Sequence, residues 1–200
     1  MNLHQAKSEL TRERLLSSAL WVMEEKGAGQ ISIQEVARAA GMTTGAVQHH
    51  FPSKAALMMQ VLSRLIESLE SSTDFWPSPR WGLRRRADHF VRQAWQQLYS
   101  QPRFATAWAA YLAARDDAAM TAHIVEQRAQ LQHQVRQKFF AVFPELARGP
   151  QAEARFAFIL SSLRGLGLVN PFAPASVVEP QLQVLSQVIQ ILSTRSEETP

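Results

Sequence analysis

Apolar residues recur at three- and four-residue intervals along almost all of this 200-residue chain, and no stretch sustains the period-two alternation of a half-buried strand. That pattern admits helices packed on helices and little else. Leu15, Leu16, Ala19, Val22 and Met23 share one side of a helix predicted from about Ser8 to Lys26. Gly27 and Gly29 are expected to end it, because glycine accepts left-handed backbone. Ser32, with Glu35 three residues on, has the pattern of a capping box and opens a short helix through Ala40. Gly41 breaks the chain, and Thr43 or Thr44 caps a third short helix ending near His50. Ser53 can cap a longer fourth helix that carries Leu57, Val61, Leu62, Leu65 and Leu69.

Trp76-Pro77-Ser78-Pro79 is the clearest interior break. Beyond it, helices are expected near residues 80–100, 103–114, 117–143, 151–168 and 176–195, with Asp116-Asp117 capping the third of these. The last six residues are polar and expected to fray. The expectation is an all-α chain of about nine helices. Residues 1–53 would form an N-terminal three-helix domain of the helix-turn-helix kind, and residues 54–200 a C-terminal helical bundle.

Composition removes several function classes. A 46% hydrophobic share can bury a sizeable core. Cysteine is absent, which excludes disulfides, thiolate metal sites and cysteine nucleophiles and suits a reducing, cytoplasmic setting. The N-terminus lacks a charged-then-apolar leader pattern, and no apolar run is long enough to span a membrane. The six histidines show no HExxH spacing, and GxSxG, GxxxxGK[ST] and GxGxxG are all missing. We therefore expect no enzyme activity, no metal and no cofactor. The formal charge of +4 is unevenly placed: residues 1–70 are net zero, residues 71–148 net +5 and residues 149–200 net −1. Bulk charge thus lies outside the segment with the most informative local pattern.

That segment is Ile33 to Pro52, IQEVARAAGMTTGAVQHHFP. Two short helices crossing steeply need a small residue where they meet, and Ala37 is placed for it. The turn needs a residue at ease with positive φ, and Gly41 supplies one. Val36, Ala40, Met42 and Val47 fall on the inner faces, with Phe51 closing the core.

Residues 10–57 resemble the N-terminal domain of the tetracycline-repressor (TetR/AcrR) family of bacterial regulators. The resemblance rests on the long opening helix, Ile33-Gln34-Glu35-Val36-Ala37, Ala40-Gly41-Met42, and Gly45-Ala46-Val47 through His50-Phe51-Pro52-Ser53-Lys54. It implies a homodimer whose two recognition helices enter successive major grooves of a palindromic double-stranded operator. It also implies a C-terminal domain that dimerises and binds a small-molecule effector. By the same resemblance Thr43 and Thr44 open the recognition helix and take phosphate, and Gly45 permits close approach to DNA. Gln48 and His49 face base edges or backbone, His50 and Lys54 hold phosphates, and Ser32 and Gln34 touch the flanking strand. The family usually has Tyr at the position of Gln48 and often an aromatic at that of His49, so the contact chemistry departs here.

The C-terminal helices are rich in Trp and Phe, which at helical spacing are mostly core. Trp108 and Tyr111, one turn apart, and Arg164, which interrupts an apolar run, are candidates for an effector pocket. Val178, Leu182, Leu185, Ile189 and Leu192 repeat at four-three spacing along the last helix. The helix before it mixes Phe158, Leu160 and Leu163 with small residues. These two helices from each of two subunits are expected to form a four-helix interface containing Phe158, Leu163, Leu182, Leu185 and Ile189. Arg84-Arg85-Arg86 reads as a solvated face at a helix start. The functional expectation is a cytoplasmic DNA-binding transcription regulator, a repressor released by an effector. The competing reading is a helical ligand-binding or scaffold protein whose helix-turn-helix no longer reads specific DNA.

Overall fold

The computed structural model describes residues 3–26, 31–70, 74–113 and 118–195, which hold nine α-helices and no strand. They are α1 (Leu3–Lys26), α2 (Ile33–Ala40), α3 (Thr44–His50), α4 (Lys54–Glu70), α5 (Leu83–Ala94), α6 (Pro102–Ala113), α7 (Ala118–Val142), α8 (Ala152–Val169) and α9 (Ala175–Arg195). A π-helical turn, Trp95–Tyr99, continues α5, and a 3-10 turn, Asn170–Phe172, follows α8. The first helix begins at Leu3 rather than near Ser8, since neither glycine nor proline interrupts residues 3–26. The proposed stop at Gly27 and Gly29, the Asp116-Asp117 cap and the last five residues lie outside the described residues. So do the side chains of Leu62, Leu65 and Leu69.

The chain folds as two compact units, Met1–Leu65 with Ala105–Gln127 and Ile66–Phe104 with Arg128–Pro200. In the first, Leu15, Leu16, Ala19, Val22 and Met23 are all buried, as their shared helix face requires. They are joined in its core by Val36, Ala37 and Ala40 of α2, Val47 of α3, Phe51, and Leu57, Met58 and Val61 of α4.

The second unit is organised around aromatic rings. Phe90 lies 5.3 Å from Phe139 and 5.8 Å from Phe143, and Phe139 lies 5.3 Å from Phe156, at the tilted and edge-on angles aromatic pairs favour. Arg86 is buried beside them. Its guanidinium donates to both carboxylate oxygens of Glu145, at 3.2 and 2.6 Å, and to the Val142 carbonyl. Burial works against the Glu145 charge, yet the hydrogen bonds from Arg86 override it and hold that carboxyl below its ordinary value.

The five residues expected at a subunit seam differ in exposure within the chain. Leu163 and Ile189 are fully buried, and Leu182 and Leu185 are 7% and 5% exposed within a single chain. A side chain with no exposed area cannot be covered by a partner, so Leu163 and Ile189 are held by the chain itself, and Leu182 and Leu185 offer little area to one. Of the five residues expected at a subunit seam, Phe158 alone is open, at 54%. The exposed large apolar residues here are Phe158 and Val169 of α8, Phe172 beyond it, and Val177, Val184 and Ile191, spaced seven apart along α9.

Candidate nucleic-acid interface

The N-terminal helices are set by local capping. Ser32 is extended (φ −144°, ψ 162°), and its Oγ accepts the Glu35 N–H at 3.1 Å, starting α2. Glu35 does not complete the reciprocal half of a capping box. Its carboxylate instead accepts from Lys26 and Arg38, both at 2.5 Å. Hydrogen bonds from Arg38 and then Lys26 bring its pKa down to about 2. The pair with Lys26 ties the end of α1 to the start of α2.

Gly41 ends α2 in left-handed backbone (φ 63°, ψ 38°), its N–H bonded to the Arg38 carbonyl at 3.1 Å. Met42 N–H returns to the Ala37 carbonyl at 2.9 Å. Two residues later Thr43, not Thr44, caps α3: its Oγ1 accepts the Ala46 N–H at 3.2 Å. Val47 is the one buried residue of α3. With that face turned inward, Thr44, Gly45, Gln48 and His49 are left exposed on the other.

Phe51 terminates α3 through its N–H to Val47 O (2.8 Å), and the Arg12 guanidinium lies 5.2 Å from its ring centre. Ser53 Oγ accepts the Ala56 N–H at 3.1 Å, which puts exposed Lys54 at the first position of α4. Gln34 is exposed in the first turn of α2, and Ser32 and His50 are half-buried. His50 meets His49 edge-on at 5.3 Å. Burial first, then the charges of His49 and Arg12, push the His50 pKa below the usual histidine value. The shift favours the neutral imidazole, which donates one hydrogen bond without adding a charge.

Of the candidate effector residues, Trp108 falls in the first compact unit and Arg164 in the second. Trp108 is half-buried on α6 and Arg164 half-buried on α8, while the Tyr111 side chain lies outside the described residues. Arg164 is electrostatically coupled to buried Tyr99, whose hydroxyl is pushed up to about 12 by burial against the opposing pull of the Arg164 charge. The stripe of Val177, Val184 and Ile191 was missed in sequence. Its signal was present as a seven-residue repeat, but it ran beside a second repeat on the same helix. No helix among the described residues is long and apolar enough to cross a membrane.

Comparison with known proteins points to the same segment. The family model described as "Bacterial regulatory proteins, tetR family" matches residues 15–61. The chain is similar to the HTH-type transcriptional regulator SrpR of Pseudomonas putida, 38% identical over 72 residues, covering 36% of this chain and 33% of that one. It is also similar to CymR of the same species, 39% identical over 59 residues, covering 30% and 29% of the two chains. These alignments span about a third of the length of the curated relatives.

Over nearly the whole chain, the fold is similar to that of a transcriptional regulator from a Rhodococcus species. That structure is 26% identical with a TM-score of 0.63, covering 89% of this chain and 95% of that one. A TetR transcriptional regulator from Rhodococcus has a TM-score of 0.69 at 16% identity, covering 92% and 96%. With the capped α2–Gly41–α3 register in them, residues 15–61 carry the segment that the model of the tetR family of bacterial regulatory proteins describes.

Proposed function

We propose that this protein is a cytoplasmic DNA-binding transcription regulator. It acts as a homodimer on a palindromic duplex operator and represses until a small-molecule effector releases it. The observation that carries the reading is α3. One buried residue, Val47, anchors it, and its outer face presents only groups that can approach or hydrogen-bond nucleic acid. Thr44 and the free N–H groups of the first turn suit a phosphate. Gly45 keeps the backbone accessible, Gln48 can pair bidentately with adenine in a major groove, and His49 extends the same face. Lys54, Ser32, Gln34 and the Thr43 hydroxyl border that face and would position the backbone, with His50 as a neutral donor.

Residues 1–53 carry DNA binding in this reading, and 54–200 carry dimerisation and effector binding. Support for the dimer is the exposed stripe of Phe158, Val169, Val177, Val184 and Ile191, since large apolar faces of this kind usually mark an interface. An effector that prefers one spacing of the two recognition helices lowers operator affinity by its differential affinity for the two states. Trp108, Tyr111 and Arg164 are the first positions to substitute in a search for its site.

Selection of bound genomic fragments tests the reading directly. The dimer is expected to enrich a palindromic sequence at moderate salt, whereas failure to enrich any sequence above background would leave the ligand-binding or scaffold reading in place. Lys54→Ala should weaken all DNA similarly, and Gln48→Ala should change the preferred sequence.

A further inference from the structure

The regulator reading leaves Arg84-Arg85-Arg86 unused, and the second unit separates its members. Arg86 turns inward to Glu145. The Arg84 side chain is 87% exposed, and the Arg85 guanidinium lies 4.0 Å from the centre of the Trp81 ring. Trp81 in turn meets His89 edge-on, ring centres 5.2 Å apart. His89 Nε2 is 2.8 Å from the Asp74 carbonyl. A carbonyl only accepts, so Nε2 carries the proton and the ring is held in place. On α5, Arg85, His89 and Arg92 are spaced to share one face.

Trp81 and His89 form the common wall of two adjoining hollows. One is bordered by Arg84, Arg85, Arg92 and a single carboxylate, Asp88. Asp88 already accepts from the Ser186 hydroxyl at 2.5 Å and lies 3.9 Å from Arg84. Neither Arg85 nor Arg92 has a carboxylate within 4.0 Å among the described residues. The other hollow, about 530 Å³, is walled by Trp76, Pro77, Pro79, Ala141 and Val142 together with the shared pair, with Asp74, Ser78 and Lys138 also lining it. Trp76 is stacked on Phe90 at 5.7 Å, and its indole N–H is closed off without an acceptor among the described residues.

We propose that these two hollows, which meet at Trp81 and His89, together bind a small organic anion with a flat aromatic body and a carboxylate. The tryptophan and proline rings offer the rigid apolar wall that such a body requires, in a volume suited to a small ligand. A guanidinium stacked on an indole uses its face on the ring and keeps its N–H edge for a planar carboxylate. Arg92, one turn beyond His89, supplies the second cation. The site uses none of Trp108, Tyr111 or Arg164 and needs no DNA.

Calorimetric titration of the full-length protein with 2-naphthoate, against the uncharged 2-naphthamide, tests this. The acid is expected to bind about tenfold or more tightly than the amide, the size of one charge-assisted hydrogen bond. Arg85→Gln and Arg92→Gln should each remove most of that difference while leaving the melting temperature and amide binding unchanged. Trp81→Leu should weaken both ligands. Equal binding of acid and amide, indifference to both arginine substitutions, or no heat at millimolar naphthoate would each overturn the proposal. Because no DNA enters the experiment, its failure leaves the regulator reading intact.

Discussion

The backbone carbonyl oxygen of Tyr99 stands 2.6 Å from the point that a Cβ on Gly167 would occupy. Two carbons of the Phe104 ring lie 3.0 and 3.1 Å from the same point, so α8 can approach the π-helical turn and the start of α6 only with glycine there. Backbone cannot swing aside as a flexible side chain can. Gly167→Ala should therefore destabilise by about 1–3 kcal/mol, as overpacking does. In a chain of this size that lowers the melting temperature by about 2–4 °C per kcal/mol, read by thermal denaturation.

Gly45 presents the opposite case. A Cβ there meets nothing in the chain closer than Thr43 Oγ1 at 4.0 Å. Gly45→Ala should leave the melting temperature unchanged or slightly raised, because alanine suits a helix better. If the backbone at this position lies against DNA, operator affinity measured by fluorescence anisotropy falls in the same variant. Unchanged affinity would remove Gly45 from the contact surface.

Glu35 makes stability depend on acid. Its folded pKa of about 2 lies below the ordinary 4.5, so the native state favours the ionised form. The stabilisation is present in full above the ordinary value and is lost as pH falls from 4.5 towards 2. Glu35→Gln should flatten the decline of urea stability across that window. Added salt should shrink the same difference, since the pairs with Lys26 and Arg38 are accessible to solvent.

Arg86 and Glu145 form a pair whose side chains are 7% and 18% exposed. Arg86→Met strands the Glu145 carboxylate and the Val142 carbonyl, and removing one partner of a buried pair costs about 3–5 kcal/mol. The double variant Arg86→Met, Glu145→Met should lose clearly less than the sum of the single losses. Strict additivity in denaturant titrations would show that the two groups do not interact.

Neighbouring residues on α9 separate the fold from the proposed dimer. Val184 is 55% exposed and Leu185 is 5% exposed. Val184→Glu should yield monomers by sedimentation with full helical circular dichroism. Leu185→Glu should instead lose the fold, because it places a charge in the intrachain core. A fully dimeric Val184→Glu variant would rule out this face as the seam.

The helix-turn-helix was legible in the sequence because its determinants act over three or four residues. Ser32, Thr43 and Ser53 each cap a helix by accepting the N–H three residues on, and Gly41 takes the left-handed turn that its neighbours could not. Ala37, Val36 and Val47 are buried because a short helix has one inner face. The same locality made the number and order of helices readable. What each side chain meets beyond its own helix was settled only by the tertiary fold.

Val184 and Leu185 are both apolar on a helix with two apolar stripes, and periodicity does not say which stripe the chain itself covers. Three consecutive arginines read as one solvated run, yet Arg86 finds Glu145 59 residues away while Arg85 rests on Trp81. Glu35 looks like half of a capping box until Lys26 and Arg38 are brought beside it. Local hydrogen bonding and chain stereochemistry are written into adjacent residues. Burial and charge pairing depend on residues distant in sequence, and those meet only when the helices pack.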